Sequence, residues 1–398
     1  MDIKVYLNFK RRRFLLRQKM SKQLIDDVLD YFISHDSQML ANVNGNNSIE
    51  TRAKLLREAR EQFVIRGIKE QQLNLMIEEF SKYMWGYYVL DSLICNPDIS
   101  DIRCMDYNRI RIKEKGVRKD AQVSFIDRKD YKQFVQLIAV KNRTNLSDLN
   151  AVQTFTDKDS NPDFILRFTI TTEFVNSEAV PYVHIRKISR HKYRLGELIA
   201  FGMMSHEQAV YLKDKVIESG GILFTGKGAS GKTTLMNTLI EEIPHDKSGL
   251  FIQENEELFT LPVKDGGHPE IMFEHIVSNK GEGKVKYTLG ALTQTGLLQD
   301  LDYIGIGEIK GDEAAAFMKA SYTGQQCWAT VHGRNSKEAI IKLADYIKQA
   351  VHYEFDECLR MLTGIETIVY MKNFKIEEIS EIHGYDEDKK KLIIERVF

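Results

Sequence analysis

The sequence predicts an α/β fold in its second half, preceded by a strand-rich α+β domain. From residue 207 to residue 398, apolar runs alternate with helical stretches, which is typical of a mostly parallel sheet covered by helices on both faces. From residue 91 to residue 190, short apolar runs are bounded by turns instead. We therefore expect a small helical region (1–90), an α+β N-terminal domain (91–190), a linker (191–206) and an α/β C-terminal domain (207–398).

Helical patterning in residues 1–90 is interrupted by the polar break Asn42–Ser48. The basic run Lys10–Arg13 is expected to be a solvated face or flexible arm, with a docking surface as the alternative. In the α+β domain, strands are predicted at Ile99–Met105, Arg109–Ile112 and Phe164–Thr171, with a helix at Asp127–Val140 and Asp127 as its N-cap. The α+β domain therefore differs in architecture from the C-terminal domain.

The C-terminal domain is predicted from four buried strands and the helices between them. Gly196 and Gly202 mark the linker before it. The predicted strands are 221–225, 249–253, 303–307 and 327–330, and the predicted helices are 233–242, 312–321 and 336–350. Ile365–Met371 and a hairpin around Asp386–Asp388 complete the domain.

Composition limits the classes of function. The 398 residues are 43% hydrophobic and 28% charged, with a formal net charge of -1, so nothing attracts the whole chain to nucleic acid or membrane. The four cysteines show no C-x-x-C spacing, which argues against a disulfide framework or zinc site and favours a reducing cytosol. No signal arrangement and no run of eighteen apolar residues occurs, so a soluble protein is expected.

A glycine-rich loop follows the first of these strands and precedes a helix. Its pattern is Gly-x-x-x-x-Gly-Lys-Thr, which predicts that backbone N–H groups face a polyphosphate at a helix N-terminus. Lys232 would reach the β- and γ-phosphates, and the Thr233 hydroxyl would ligate Mg²⁺. The alternative, a loop that merely turns the chain, does not require the Lys-Thr pair. The residues expected to contact ATP are Gly226, Lys227, Gly228, Ala229, Ser230, Gly231, Lys232, Thr233 and Thr234.

Polar side chains at three other strand ends are candidates for catalysis. Glu308 ends a short apolar strand, where it would contact Mg²⁺ through water or polarise the attacking water. Glu254 follows another strand, and His332 follows a third and would sense the γ-phosphate. Each also has a structural alternative: a solvated loop acid for Glu254, a surface acid for Glu308 and a satisfied structural histidine for His332.

Several motifs in order resemble the secretion ATPases of type II and type IV systems, particularly the branch serving type IV secretion, conjugation and tight-adherence pili. The resemblance covers roughly residues 85–375. The segments that carry it besides the glycine-rich loop are Leu93–Arg103, Val183–Ser189, Ile252–Leu258, Gly307–Gly311 and Thr323–His332.

The resemblance implies a homo-hexameric ring whose RecA-like C-terminal domain holds ATP and Mg²⁺ against the N-terminal domain. Arg167 and Arg186 would then reach the phosphates, although an exposed strand arginine is ordinarily a surface group. The ring would be cytoplasmic, docked peripherally on the inner face of the cell membrane against secretion or pilus platform proteins. Direct sequence-specific nucleic-acid binding is not expected.

Three residues depart from the family pattern. Gln253 stands where the family has an acid, so we expect it to orient water by hydrogen bonding without accepting a proton, which leaves more of the catalysis to Glu308 and makes turnover slow. Gln325 stands where a histidine usually follows Thr-Gly. Lys310 replaces an arginine and should contact phosphate more weakly.

Two other functions remain open. A nucleotide-binding ring scaffold or switch with little hydrolysis is motivated by Gln253. A DNA translocase is disfavoured, because the sequence shows no basic groove with interleaved aromatics.

Overall fold

The computed structural model describes residues 20–32, 34–35, 49–142, 144, 146–254, 256–276 and 287–398. The basic run Lys10–Arg13 and the polar break Asn42–Ser48 lie outside these residues. The chain divides into two compact units, Met1–Arg190 and His191–Phe398. The predicted boundaries at residues 90 and 206 stay predictions.

The described residues of the first unit include helices that share one apolar cluster. Residues 20–32 are helical, and α1 (Ile49–Ile65) and α2 (Glu70–Met84) come next along the chain. Their buried side chains recur every three or four positions, the spacing that places residues on one face of a helix. Phe63 on α1 and Phe80 on α2 meet edge to face with ring centroids 5.9 Å apart. The buried members of this cluster are Ile25, Val28, Phe32, Leu55, Ala59, Phe63, Leu73, Met76 and Phe80.

The rest of the first unit is an antiparallel sheet of six strands in the order β3-β2-β1-β6-β5-β4. Tyr131, Phe134 and Ile138 of one helix are buried with strand residues such as Phe168. Asp127 caps this helix by accepting a hydrogen bond from Asp130 N at 2.9 Å, as predicted. The elements are α3 (Asp91–Cys95), β1 (Ile99–Asp106), β2 (Arg109–Glu114), β3 (Val117–Asp120), α4 (Arg128–Lys141), β4 (Val152–Asp157), β5 (Phe164–Thr171) and β6 (Tyr182–Ser189).

The second unit contains an eight-stranded sheet in the order β14-β13-β12-β7-β11-β10-β8-β9. From β12 to β9 neighbouring strands are parallel, and β13 and β14 are antiparallel additions. The strands are β7 (Gly221–Gly226), β8 (Gly249–Gln253), β9 (Ile271–His275), β10 (Tyr303–Ile309), β11 (Gln326–Val331), β12 (Thr367–Lys372), β13 (Lys375–Asp386) and β14 (Lys391–Arg396). The helices are α5 (Leu195–Ala200), α6 (His206–Glu218), α7 (Lys232–Ile240), α8 (Leu289–Gly296), α9 (Glu313–Tyr322), α10 (Ser336–Ala350) and α11 (Phe355–Met361).

Helices cover both faces of this parallel sheet, which confirms the predicted α/β class. Along β7, Ile222 and Phe224 lie in one apolar cluster with residues of α5, α6 and α7, whereas Leu223 lies in the other with residues of α9, α10 and α11. This alternation is what a strand buried on both faces requires. Because β7, β8, β10 and β11 run parallel, their carboxyl ends lie at the same edge of the sheet.

Residues 191–206, predicted as a linker, lie within the second compact unit. They contain α5, and Leu198, Met203 and Met204 are buried in the second unit. No helix in the described part of the chain is both long enough and apolar enough to cross a bilayer.

Candidate nucleotide-binding site

The glycine-rich loop leaves β7 through a close approach between two backbones. Gly226 has φ +151°, and a Cβ there would lie 2.2 Å from the carbonyl oxygen of Met371 on β12, so only glycine fits. Gly231, at φ +98°, ends the loop as the N-cap of α7. The loop residues 227–229 are exposed, while Ser230, Gly231 and Lys232 are buried. The predicted strand-loop-helix arrangement is therefore present.

Lys232 places a buried positive charge inside this loop. Its Nζ donates to the carbonyl oxygens of Gly226 at 3.1 Å and Lys227 at 3.2 Å. Burial lowers the pKa of Lys232, and the nearby Glu308 charge acts in the opposite direction. Cationic charge and the helix dipole both favour an anion at this position.

The loop also contains a buried hydroxyl without a partner. Among the described residues, Ser230 Oγ accepts and donates no hydrogen bond. Buried polar groups are nearly always paired, so an unpaired hydroxyl within an anion-binding loop fits the oxygen of a phosphate. Thr233 and Thr234 lie in the first turn of α7 and are half-buried. These residues together fit a polyphosphate and the magnesium ion that accompanies it.

Glu308 and His332 lie beside the loop. His332 Nε2 is 2.6 Å from Glu308 Oε1, and His332 Nδ1 is 3.1 Å from the carbonyl oxygen of Gly226. Lys232 Nζ is 3.4 Å from His332 Nδ1. The pairing of β10 with β11 shifts register between Ile306 and Ile309, the stretch that contains Glu308. Thus the structure brings together three side chains that follow or end three different strands in the sequence.

Lys310 joins two carboxylates at the same edge. Its Nζ lies 3.0 Å from Glu308 Oε2 and 2.6 Å from Glu254 Oε2. Although partial burial acts in the opposite direction, the hydrogen bonds to Glu254 and Glu308 raise the pKa of Lys310. Lys310 therefore neutralises part of the acidic charge, a contact that the sequence did not predict.

The side chain of Gln253 makes hydrogen bonds to the backbone of the segment after β8. The residue is buried, its Nε2 donates to Leu258 O at 2.9 Å, and its Oε1 accepts from Glu257 N at 2.8 Å and Leu258 N at 2.7 Å. The amide thus holds the segment after β8. Two backbone N–H groups thus occupy the oxygen of Gln253, and the expectation that this residue orients water stays a prediction.

Arg167 and Arg186 belong to the first unit. They are opposite each other on β5 and β6, so both lie on one face of that sheet. Arg186 Nε is 3.5 Å from Asp101 Oδ1, and His184 Nε2 is 3.1 Å from the same oxygen. Partial burial alone would raise the pKa of Asp101. The net shift is downward, because Asp101 accepts hydrogen bonds from His184 and Ser100 and lies near the charge of Arg186. The role of the two arginines at a phosphate stays a prediction.

Sequence reasoning also missed a buried lysine that supports the site. Lys192 Nζ donates to Asn237 Oδ1 at 2.8 Å and to the carbonyl oxygen of Phe259, and it lies 3.3 Å from Glu241 Oε1. Asn237 lies on α7, and Glu241 is the C-cap of that helix. The four-residue spacing, which places both side chains on one helix face, is the only signal in the sequence that they could share a partner. Lys192 therefore ties the helix after the loop to the segment after β8.

Comparison with known sequences identifies a family. Residues 167–364 match the family described as "Type II/IV secretion system protein". A protein of Methanocaldococcus jannaschii described as uncharacterized is 27% identical over 204 residues, which are 51% of this chain and 73% of that protein. Protein VirB11 of Agrobacterium fabrum is 30% identical over 167 residues, which are 40% of this chain and 46% of that protein.

Comparison with solved structures supports the fold. The X-ray structure of the Legionella pneumophila ATPase DotB matches with a TM-score of 0.51 and 14% identity, covering 75% of this chain and 76% of DotB. Its likeness confirms a RecA-like α/β domain preceded by an N-terminal domain. Through residues 167–364, which hold the glycine-rich loop, Glu308 and His332, the chain belongs to the type II/IV secretion system protein family.

Proposed function

We propose that this chain is an ATP-hydrolysing motor that works as a hexameric ring and powers a type IV secretion, conjugation or pilus-assembly apparatus. The observation that carries the proposal is the meeting of Lys232, His332 and Glu308 beside one glycine-rich loop. Buried positive charge next to a carboxylate is the combination that phosphoryl transfer to water uses. Membership of the secretion family supports the larger assembly.

The nucleotide's phosphates would be held by the backbone of residues 226–232, by Lys232 and by the Ser230 hydroxyl. Thr233 would ligate Mg²⁺, and Glu308 would contact it through water. A bound Mg²⁺ would neutralise charge on the phosphates during hydrolysis. Arg167 and Arg186 of the first unit would contribute guanidinium groups to the phosphates.

Glu308 would polarise the attacking water, because its carboxylate lies next to the loop. The imidazole ring of His332 connects Glu308 Oε1 to the carbonyl oxygen of Gly226. His332 would thereby report on the γ-phosphate through Glu308. Glu254 would act indirectly, as the second carboxylate that Lys310 holds.

The chain would act in the cytoplasm, docked on the inner face of the membrane against secretion or pilus platform proteins. The family description and the similarity to VirB11 support this placement.

Mg²⁺-dependent release of phosphate from ATP, measured on the full chain, tests the proposal. Lys232→Ala should reduce the rate by roughly 100- to 1,000-fold, because it removes the positive charge at the loop. Lys213→Ala is the matched control, since Lys213 forms a surface pair with Glu242 on the outside of the unit. Wild-type protein that releases no phosphate and binds no ATP would contradict the proposal.

A ring scaffold or switch is the second candidate, and the environment of Gln253 favours it. The family has an acidic residue at this position, whereas this chain has Gln253, whose Oε1 already accepts two backbone hydrogen bonds. Hexamers that form on ATP without turnover above background would select this alternative. DNA-stimulated hydrolysis with a steep salt dependence would instead select a translocase.

A further inference from the structure

The turn between β12 and β13 lies against the glycine-rich loop. Met371 on β12 is in register with Gly226, the first glycine of the loop. The turn after β12 brings Phe374 to the last glycine: a Cβ built on Gly231 would lie 3.3 Å from Phe374 Cδ1. One edge of this ring therefore lies beside Gly231, where α7 begins, and occupies the space that a side chain at this position would need.

The remainder of the Phe374 ring faces outward. Phe374 is 53% exposed, whereas Met203 and Met371, the other two neighbours of Gly231, are buried. Its backbone has φ +61°, a left-handed conformation that bulky residues rarely adopt. Lys372 and Lys375 pair across the hairpin on either side of the turn and are exposed. An exposed aromatic ring, with a lysine on either side of it along the chain, thus lies beside the loop.

The strand order fixes which end of a nucleotide would meet this ring. Lys232 would reach the β- and γ-phosphates. Of the groups beside it, His332 directly follows β11 and Glu308 is on β10. These strands lie on one side of β7, and β12 lies on the other. The terminal phosphate would thus face β11 and β10, and the nucleoside would leave the loop toward β12 and Phe374.

We propose that the open face of Phe374 stacks on the nucleobase of the bound nucleotide and that this platform favours a purine. Every base has a π-face that stacks on an aromatic side chain, and the larger purine ring covers more of it. The positive charges of Lys372 and Lys375 on the same hairpin would favour an anionic ligand. This inference rests on the proposed function, since it requires a nucleotide in the loop.

Calorimetric titration of the full chain with ATP, CTP and inorganic tripolyphosphate tests the platform. Phe374→Ala should weaken ATP binding by roughly tenfold and narrow the preference for ATP over CTP, with tripolyphosphate affinity unchanged. Phe374→Tyr keeps the aromatic face and should retain wild-type ATP affinity. Ile217→Ala, which removes a similarly exposed side chain (52%) from α6, should change none of the three titrations.

Two results would overturn the platform. One is unchanged ATP affinity in Phe374→Ala, and the other is an equal loss of ATP and tripolyphosphate affinity, which would mean that Phe374 only shapes the loop. If the wild-type chain binds neither ATP nor tripolyphosphate, the proposed function fails as well. If the wild-type chain binds ATP and tripolyphosphate and Phe374→Ala binds both with the same affinities, only the stacking role fails.

Discussion

His332 Nε2 on the segment after β11 lies 2.6 Å from Glu308 Oε1 on β10. The same ring contacts the carbonyl oxygen of Gly226 through Nδ1. One imidazole therefore connects the strand end that carries the carboxylate to the first glycine of the loop. A change at the phosphates that moves either backbone must also move this contact.

Glu308→Gln should slow ATP hydrolysis about 100-fold or more while ATP still binds. The amide keeps the size of the side chain but cannot accept a proton or carry the charge that polarises water. Single-turnover phosphate release and calorimetric ATP binding, measured on the same preparation, separate the two effects. Equal loss of binding and turnover would mean that Glu308 mainly holds the nucleotide.

The matched control for this variant is Glu338→Gln. Glu338 lies in the first turn of α10, where it forms a surface pair with Arg334. Its replacement should leave both ATP binding and hydrolysis at wild-type levels, since exposed pairs of this kind contribute little.

Gln253→Glu should destabilise the fold by about 1–3 kcal/mol and should not raise the rate of hydrolysis. A glutamate keeps the acceptor for the N–H groups of Glu257 and Leu258 but replaces the donor to Leu258 O with a second oxygen, leaving two buried oxygens in contact. Urea unfolding and phosphate release measure the two effects. If Gln253→Glu hydrolyses ATP faster and is as stable as the wild type, the result would support the water-orienting role predicted for position 253.

Gln208→Glu is the matched control for this change. Gln208 Oε1 accepts a hydrogen bond from Ser205 N in the capping box of α6, and its Nε2 is not needed there. Glutamate serves equally well in a capping box, so stability should be unchanged.

The contrast between Glu308 and Gln253 shows what the sequence could predict. An apolar run that ends in an acid predicts a carboxylate at the edge of a parallel sheet, and the glycine-rich pattern predicts the loop beside it. The partners of Gln253 depend on the path of residues 257–258, which no periodicity encodes. The approach of Phe374 to Gly231 likewise depends on the register between β12 and β7, and β9 was missed because one short edge strand gives a weak pattern.

Lys310→Met should lower the Mg²⁺ concentration that gives half-maximal hydrolysis by about fivefold. Lys310 Nζ now neutralises part of the charge on Glu254 and Glu308, and removing one unit charge near a cation site in water is worth about 1 kcal/mol. Magnesium titrations of phosphate release check this. Lys213→Met, which breaks a surface pair on α6, should leave the magnesium titration unchanged. An unchanged titration of Lys310→Met would show that Lys310 does not compete with the ion.

Lys192→Met should change how the free energy of unfolding depends on pH. Burial lowers the pKa of Lys192 to about 8, against 10.5 for a free lysine, while the Glu241 carboxylate acts in the opposite direction. Below pH 8 the lysine is charged in both folded and unfolded chains, so its contribution does not vary with pH. Between pH 8 and 10.5 the folded chain releases the proton that the unfolded chain keeps, and stability from this group rises by roughly 3 kcal/mol over that interval.

This rise should be absent in Lys192→Met. The unfolding free energy of the wild type should therefore increase relative to that of the variant between pH 8 and pH 10.5. Urea unfolding at several pH values measures it, with Lys213→Met as the exposed-lysine control, whose difference from wild type should stay constant. Because Lys192 also holds Asn237 and the carbonyl of Phe259, the variant should loosen the segment after β8 and raise amide hydrogen exchange at Phe259 and Leu261. A pH-independent difference together with unchanged exchange would show that Lys192 does not couple the helix after the glycine-rich loop to that segment.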